Sequence, residues 1–460
     1  MNHPNTFSLS LQKQSDSGRI IDDHELNRAF TELKFRSLAR QSNITKKRGY
    51  ETLSLIFVFV LLPFLKRSLS SFCNGGYLQN YVQAHKDTFY RFLNNERFNW
   101  RKLVQLLASK IIAMSKEVPL KEKVLIADDS ICPKSGKEIE LVSYHFDHKV
   151  RRSILGNQYL QLGFHDGLHF FPIDGAFHTS SHRPNTDMRD IDKRTNGWKR
   201  RKEALSKKTD VLVQMLDRAW KSGIDASFVL FDSWFAHDDI VRRIVDVGYG
   251  VICRLKRNRV KYGYRGGAYT LKQLWQQIAK KQTVWIKDRT IKGVCLNVTL
   301  KKTGSVRVLF VSDGRKQWQA LLCTDTDLEP SRILDYYARR WSIEVYFKDA
   351  KQMLYMGKEQ SNTFDALIAS QSLVMIRYLL LVYIQIKHGL NACVGPLFRQ
   401  TSDNQSLWMF SRAVWDHVKE LIFKSSDILS YRIEPDLLFH FIDIIEDLIA
   451  EQSRWVTAKL

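Results

Sequence analysis

The chain has 460 residues, of which 44% are hydrophobic, enough for two to four domains and too apolar for disorder to describe its bulk. Lys and Arg number 71 against 48 Asp and Glu, a net charge of +23 with a pI near 9.7. Such a balance implies a large anionic partner, nucleic acid first and an anionic membrane surface second. The six cysteines, at 73, 132, 253, 295, 323 and 393, form no Cys-x-x-Cys pair, which argues against a zinc ribbon or disulfide scaffold and fits a reducing compartment. The opening MNHPNTFSLSLQKQ lacks the basic-then-apolar order of a signal peptide. A cytoplasmic, nucleoid-associated location is therefore expected.

Residues 1–118 read as helical. The apolar run Ser54–Leu65, SLIFVFVLLPFL, has 12 residues, short of the roughly 20 needed to cross a bilayer. It is expected to be a buried helix, as is Ser372–Ile386, which Arg377 interrupts. No membrane partner is expected. Around residues 85–93, Asp87 or Thr88 caps a helix that places Phe89, Phe92 and Leu93 on one face. Tyr90 and Arg91 then point outward, where Arg91 is a candidate DNA contact; an ordinary amphipathic helix explains the same pattern.

The texture changes at Val124. VLIADDS reads as a buried strand ending in acids, and further strands follow near 138–147, 154–164 and 168–177. The basic stretch 193–208 leads into a helix through Leu212, Met215, Leu216 and Trp220. A second buried strand, Ser227–Phe231, ends at Asp232, and a helix near 236–247 and a strand near 249–255 follow. The series predicts an α/β fold with a mixed sheet. Residues 256–323 carry strand-like pieces at 283–287, 294–301, 306–311 and 318–323, read as a mostly β insertion. One continuous helix is expected from Glu329-Pro330 past Lys351. The last helix carries Leu437, Leu438, Phe441, Ile442, Ile445, Leu448 and Ile449 on one stripe, a candidate dimer contact.

Two apolar strands thus end in aspartate, where functional groups collect in open α/β sheets, and Glu344 lies on the helix after the insertion. Close carboxylates suit two-metal phosphoryl transfer, since hard cations prefer oxygen ligands. An isolated Asp at a strand end is more often a turn or cap. Asp128 and Asp129 are adjacent and point opposite ways in an extended strand; Asp129, before Ser130, is the first choice and Asp128 the alternative. Tyr337, Arg340, Glu344 and Lys351 are spaced by 3, 4 and 7 residues, which keeps them within about 60° of one helix face. Ile343, Phe347, Ala350 and Leu354 form the anchoring stripe beside them. The bland reading is a solvated helix with a Glu344–Lys348 pair. The histidines at 145, 148, 165, 169, 178 and 182 have no metal-ligand frame and read as structural. The run RLKRNRVKYGYR at 254–265 is a candidate DNA-backbone track.

Tyr337-x2-Arg340-x3-Glu344-x6-Lys351, within YYARRWSIEVYFKDAKQ, together with DDS at 128–130 and FDSWF at 231–235, resembles the bacterial insertion-sequence DDE transposases with the Tyr-Arg-Glu-Lys signature. The resemblance covers about residues 87–390. It implies an RNase H-like core with helices on both faces, interrupted by the β insertion, and a catalytic triad of Asp129, Asp232 and Glu344 holding two Mg²⁺ ions, with Mn²⁺ as a substitute. The implied activity is DNA cleavage and strand transfer at element ends, with double-stranded DNA as partner and a homodimer in the paired-end complex. Tyr337, Arg340, Lys348 and Lys351 would contact end DNA, and Trp318 or Trp285 would stack a flipped base. The expected division is a DNA-binding region at 1–118, a core at 119–255 and 324–390 around the insertion at 256–323, and a C-terminal helical region at 391–460. A decayed, non-catalytic DNA-binding relative is the alternative, and a basic peripheral membrane protein a third reading.

Overall fold

The computed structural model describes residues 25–46, 48–74, 82, 84–115, 119–147, 150–185, 188–286, 291–312, 317–390, 393–424 and 440–445. They fall into two compact units. One comprises 1–37, 46–86 and 383–460, and the other comprises 38–45 and 87–382.

The N-terminal part of the chain is helical: α1 (Glu25–Glu32), α2 (Phe35–Gln41), α3 (Thr52–Leu61), α4 (Leu69–Asn74), α5 (Lys86–Leu93) and α6 (Trp100–Ile112). Helix α3 is apolar all round and buries every residue from Leu55 to Leu61, as a helix inside a core must. In α5 the buried residues are Phe89, Phe92 and Leu93, with Tyr90 and Arg91 exposed. Asn99 starts α6 by accepting the Lys102 amide at 3.1 Å, which satisfies one of the helix's open N–H groups.

The second unit is built on one sheet. Its strands are β1 (Val124–Pro133), β2 (Ser143–Asp147), β3 (Arg152–His165) and β4 (Phe170–His178). Helices α7 (Asn196–Ala204) and α8 (Lys208–Lys221) precede β5 (Phe228–Phe231), and α9 (Asp238–Val247) precedes β6 (Gly250–Arg254). Thr195 caps α7, and Gly248, at φ 117°, ends α9 in a left-handed turn that a side chain would resist. Strand β3 is long enough to pair β2 along its first half and β4 along its second. The path β4-β3-β1-β5-β6 runs antiparallel, antiparallel, parallel, parallel. That order and sense are those of an RNase H-like sheet.

The segment expected as a mostly β insertion contains β7 (Lys261–Tyr264), β8 (Gly267–Thr270), α10 (Leu271–Gln277), β9 (Val284–Ile286), β10 (Ile291–Leu300), β11 (Gly304–Ser312) and β12 (Trp318–Cys323). It does not stand apart: β12 pairs antiparallel with β6, and the whole becomes a 12-stranded sheet. An open edge at β6 would expose unpaired N–H and C=O groups, and β12 satisfies them.

The long helix expected from residue 329 onward is two. Helix α11 (Pro330–Ala338) stops at a turn through Arg339 and Arg340, and α12 (Trp341–Gln352) follows. Both turn residues keep right-handed helical angles, so the face running from Tyr337 to Glu344 is largely preserved. Ile343, Phe347, Ala350 and Leu354 are all buried, each large apolar side chain contributing roughly 1.5–3 kcal/mol. Helix α13 (Phe364–His388) and α14 (Val394–Lys424) follow, and the described residues 440–445 are helical as well. The most apolar window of α13 is long enough to cross a membrane, yet 94% of it is buried within the protein. Of the C-terminal stripe, Phe441, Ile442 and Ile445 are described, with Ile442 buried and Phe441 exposed; Leu437, Leu438, Leu448 and Ile449 lie outside the described residues.

Candidate active site

Asp128 and Asp232 lie just past the paired stretch of the parallel strands β1 and β5. β1 and β5 pair with Leu125 opposite Val229 and Ile126 opposite Leu230. Continued by two residues, that register brings Asp128 level with Asp232. Residues in register on parallel strands point to the same face, so Asp128 shares a face with Asp232 and Asp129 points to the other. The side-chain contacts agree. Arg340 Nη1 donates to Asp128 Oδ2 at 3.2 Å and Nη2 donates to Glu344 Oε1. One guanidinium therefore links the middle of β1 to α12. Asp129 instead accepts Gln158 Nε2 at 2.9 Å and the Lys208 ammonium. Lys208 is almost fully buried and lies 3.9 Å from the centre of the Trp234 ring. Asp232 accepts the Trp234 amide at 2.7 Å, which shapes the loop after β5.

Electrostatics also distinguish the neighbours. Burial, reinforced by the Asp129 and Asp232 carboxylates, pushes Asp128 up to about 7, against the Asp129 amide hydrogen bond and Arg340. Burial likewise pushes the Tyr337 phenol up to about 12, with Arg340, Arg254 and Asp232 among the charges it faces. The Arg340 guanidinium lies 5.8 Å from the centre of the Tyr337 ring.

The other sequence candidates divide. Lys351 donates to the Ile131 carbonyl at 2.8 Å, joining α12 to β1. Lys348 is exposed on the same helix, and Arg91 is exposed on α5. Glu344 pairs with Arg340. Trp318 is 8% exposed; Trp275 stacks on it at 5.3 Å and 18°, and the Arg257 guanidinium sits 4.2 Å from its ring centre. Buried and in contact with both groups, Trp318 has little open ring surface, and the expectation of a flipped base on it does not fit this packing. Trp285 is exposed, with Lys292 4.7 Å from its ring centre. His145 bonds Ser143 at 2.8 Å, and burial next to His178 and Lys208 lowers it to about 4. His148 lies outside the described residues. Sequence reasoning missed Lys208 as the partner of Asp129; a lysine at a helix start carries no signal of that pairing.

Asp128, Asp232 and Glu344 offer the oxygen donors that hard cations prefer, and the surroundings of Asp128 oppose its charge. Among the described residues, no three His, Cys, Asp or Glu side chains converge at metal-binding distance. Arg340 is the cation that bridges Asp128 and Glu344.

Residues 76–268 match the family described as DDE superfamily endonuclease, and residues 202–380 match the transposase DDE domain. Together these matches support a DDE transposase, an enzyme of nuclease type. Among solved structures, one that the chain resembles is the Drosophila P element transposase strand transfer complex, with 9% identity over 87% of this chain and 72% of that one. Its TM-score is 0.23, too low to bear on fold or function. No curated protein matches in sequence.

Proposed function

We propose that the chain is the DNA transposase of a bacterial insertion sequence, cutting and joining element ends with Asp128, Asp232 and Glu344 as its metal-binding acids. The observation that supports this reading is the register of β1 and β5, which, continued by two residues, brings Asp128 level with Asp232, together with the Arg340 contacts to Asp128 and Glu344. The side-chain directions favour Asp128 over the first-choice Asp129, whose carboxylate is engaged by Lys208 on the opposite face.

Asp128, Asp232 and Glu344 would hold two Mg²⁺ or Mn²⁺ ions, which activate the attacking water or 3′-hydroxyl and stabilise the leaving oxygen. The chain's own residues bind and orient. Arg340, with its planar fork, suits two hydrogen bonds to a DNA phosphate once it leaves the carboxylates, and Tyr337 beside it shields the acids from water. Exposed Lys348 and Arg91 add point charges toward the backbone of double-stranded DNA, and Lys351 braces the strand that carries Asp128. Residues 119–255 and 324–390 form the catalytic core in this reading, interrupted by 256–323. Residues 1–118 assist DNA binding, 391–460 support pairing of two copies, and the protein works at the nucleoid.

Incubating the purified chain with an end-bearing duplex and Mg²⁺ or Mn²⁺ tests this directly. Wild type should nick the strand and Asp232→Ala should not; equal products from both would sink the assignment. The alternative, a repurposed DNA-binding relative without catalysis, draws on the acids' lack of convergence. It predicts binding without cleavage under either metal.

A further inference from the structure

Beside the acid pair, the end of β6 and the start of β12 enclose a cavity of about 270 Å³, bordered by Ser233, Arg254, Lys256, Arg257, Trp318 and Gln319. Its place is fixed by neighbours already described. Ser233 follows Asp232 in the chain, Arg254 is among the charges facing Tyr337, and the β6–β12 register sets Leu321 opposite Arg254. Three cations border the space, and no residue lining it is acidic. Arg254 and Lys256 are exposed, and among the described residues neither enters an ion pair.

Arg257 behaves differently. It donates to the Trp318 carbonyl and lies over the indole, on which Trp275 also stacks, and Trp318 is buried. The aromatic wall is thus sealed against a base. What remains open is positive charge, concentrated in a concave space where like charges repel unless an anion enters. The cavity is smaller than the roughly 300–1,000 Å³ of a typical ligand site, which suits one phosphate and its sugar rather than a duplex.

We propose that this cavity is a phosphate subsite for a single strand of DNA, held by Arg254 and Lys256 with Arg257 braced behind them, and indifferent to base identity. The proposal rests on the nuclease reading only for its purpose: a strand anchored one residue beyond Asp232 would be kept at the acids once its partner strand is gone. Phosphate contacts of this kind position the substrate without reading sequence.

Binding of a fluorescent oligothymidylate to the full chain in EDTA, titrated with salt, tests it. The Arg254→Gln/Lys256→Gln double variant should bind at least tenfold more weakly at low salt, and its log–log salt slope should flatten by about 1.4, roughly 0.7 per lost contact. The loss should be the same with an abasic strand. Lys280→Gln/Lys281→Gln removes equal charge from an exposed turn elsewhere and should leave the slope near that of wild type. An unchanged slope in the first variant, an equal drop in both, or a loss that vanishes with the abasic strand would overturn the subsite. Metal-dependent nicking by the wild type is read separately. A flattened slope without nicking keeps the subsite and refutes the nuclease, whereas nicking with an unchanged slope does the reverse.

Discussion

Arg201 and Arg340 each join a pair of acids, and they do so under opposite conditions. Arg201 is wholly buried; it forks to Glu140 at 2.6 and 2.8 Å and to Asp365 at 2.9 and 2.7 Å. Its four hydrogen bonds lock α7 to the start of α13 and to the loop before β2. Arg340 is partly exposed and makes one bond to each of two acids. Around Arg201 the charges balance closely enough that Glu140 lies below the usual carboxylate range: burial, the largest influence, raises it, and the Arg201 hydrogen bonds and charge together with the Phe364 and Arg189 amides outweigh it. Around Arg340 they do not, and Asp128 is pushed up to about 7. The first cluster is finished as a piece of architecture. The second carries more negative charge than one guanidinium satisfies, the condition expected where further positive charge is to bind.

The pH signs follow. Glu140, with a lowered folded value, contributes stability above its unfolded pKa that is lost as pH falls through the folded value. Asp128, with a raised folded value, contributes stability below its unfolded pKa, near 4, that is lost as pH rises through about 7.

The sharpest break in the comparison is catalytic. Asp128→Ala should lower strand cleavage by at least about 1,000-fold, some 4 kcal/mol of barrier, with the fold intact by circular dichroism. Asp129→Ala should retain measurable cleavage per folded molecule. The reverse ranking in a nicking assay would move the site to the Lys208 face. A comparable energy, appearing in stability instead, is expected at the other arginine. Arg201→Ala leaves two buried acids unpaired and should cost roughly 3–5 kcal/mol in urea unfolding; a midpoint like that of wild type would show the triad to be slack.

A smaller effect separates the clusters by pH. In EDTA, Asp128→Asn should be more stable than wild type by roughly 2–4 kcal/mol at pH 8, with the two curves meeting below about pH 4. A difference that stays flat across that window would mean that Asp128 is not the strained carboxylate. The smallest effect sets the baseline. Arg242 and Asp246 form an exposed i,i+4 pair at 2.8 Å, and Arg242→Ala should change stability by less than about 1 kcal/mol. A larger loss there would remove the contrast between buried and surface pairs.

Much of the candidate site was legible before any coordinates. The acids at 128–129 and 232 and the spacing around Glu344 follow from local pattern, because an apolar run leading into Asp and a four-residue period are properties of a short stretch of chain, although β1 continues past the acids to Pro133 instead of ending at them. The buried stripe of α12 was legible for the same reason. What was not legible is parity. Asp128 and Asp129 are equivalent until β5 pairs with β1 and sets which carboxylate shares a face with Asp232. The turn at Arg339–Arg340 was missed because both residues are good helix formers and keep helical angles.

The sequence by itself thus determined the alternation of elements, the charge, and the residues able to act, since these depend on composition and on contacts a few residues apart. Tertiary structure alone decided which acid faces which, that Trp318 is buried rather than open, that the insertion continues the sheet through β12, and that Lys351 meets a strand carbonyl. Each of these turns on pairing between segments tens to hundreds of residues apart, where a shift of one position reverses the direction of every side chain.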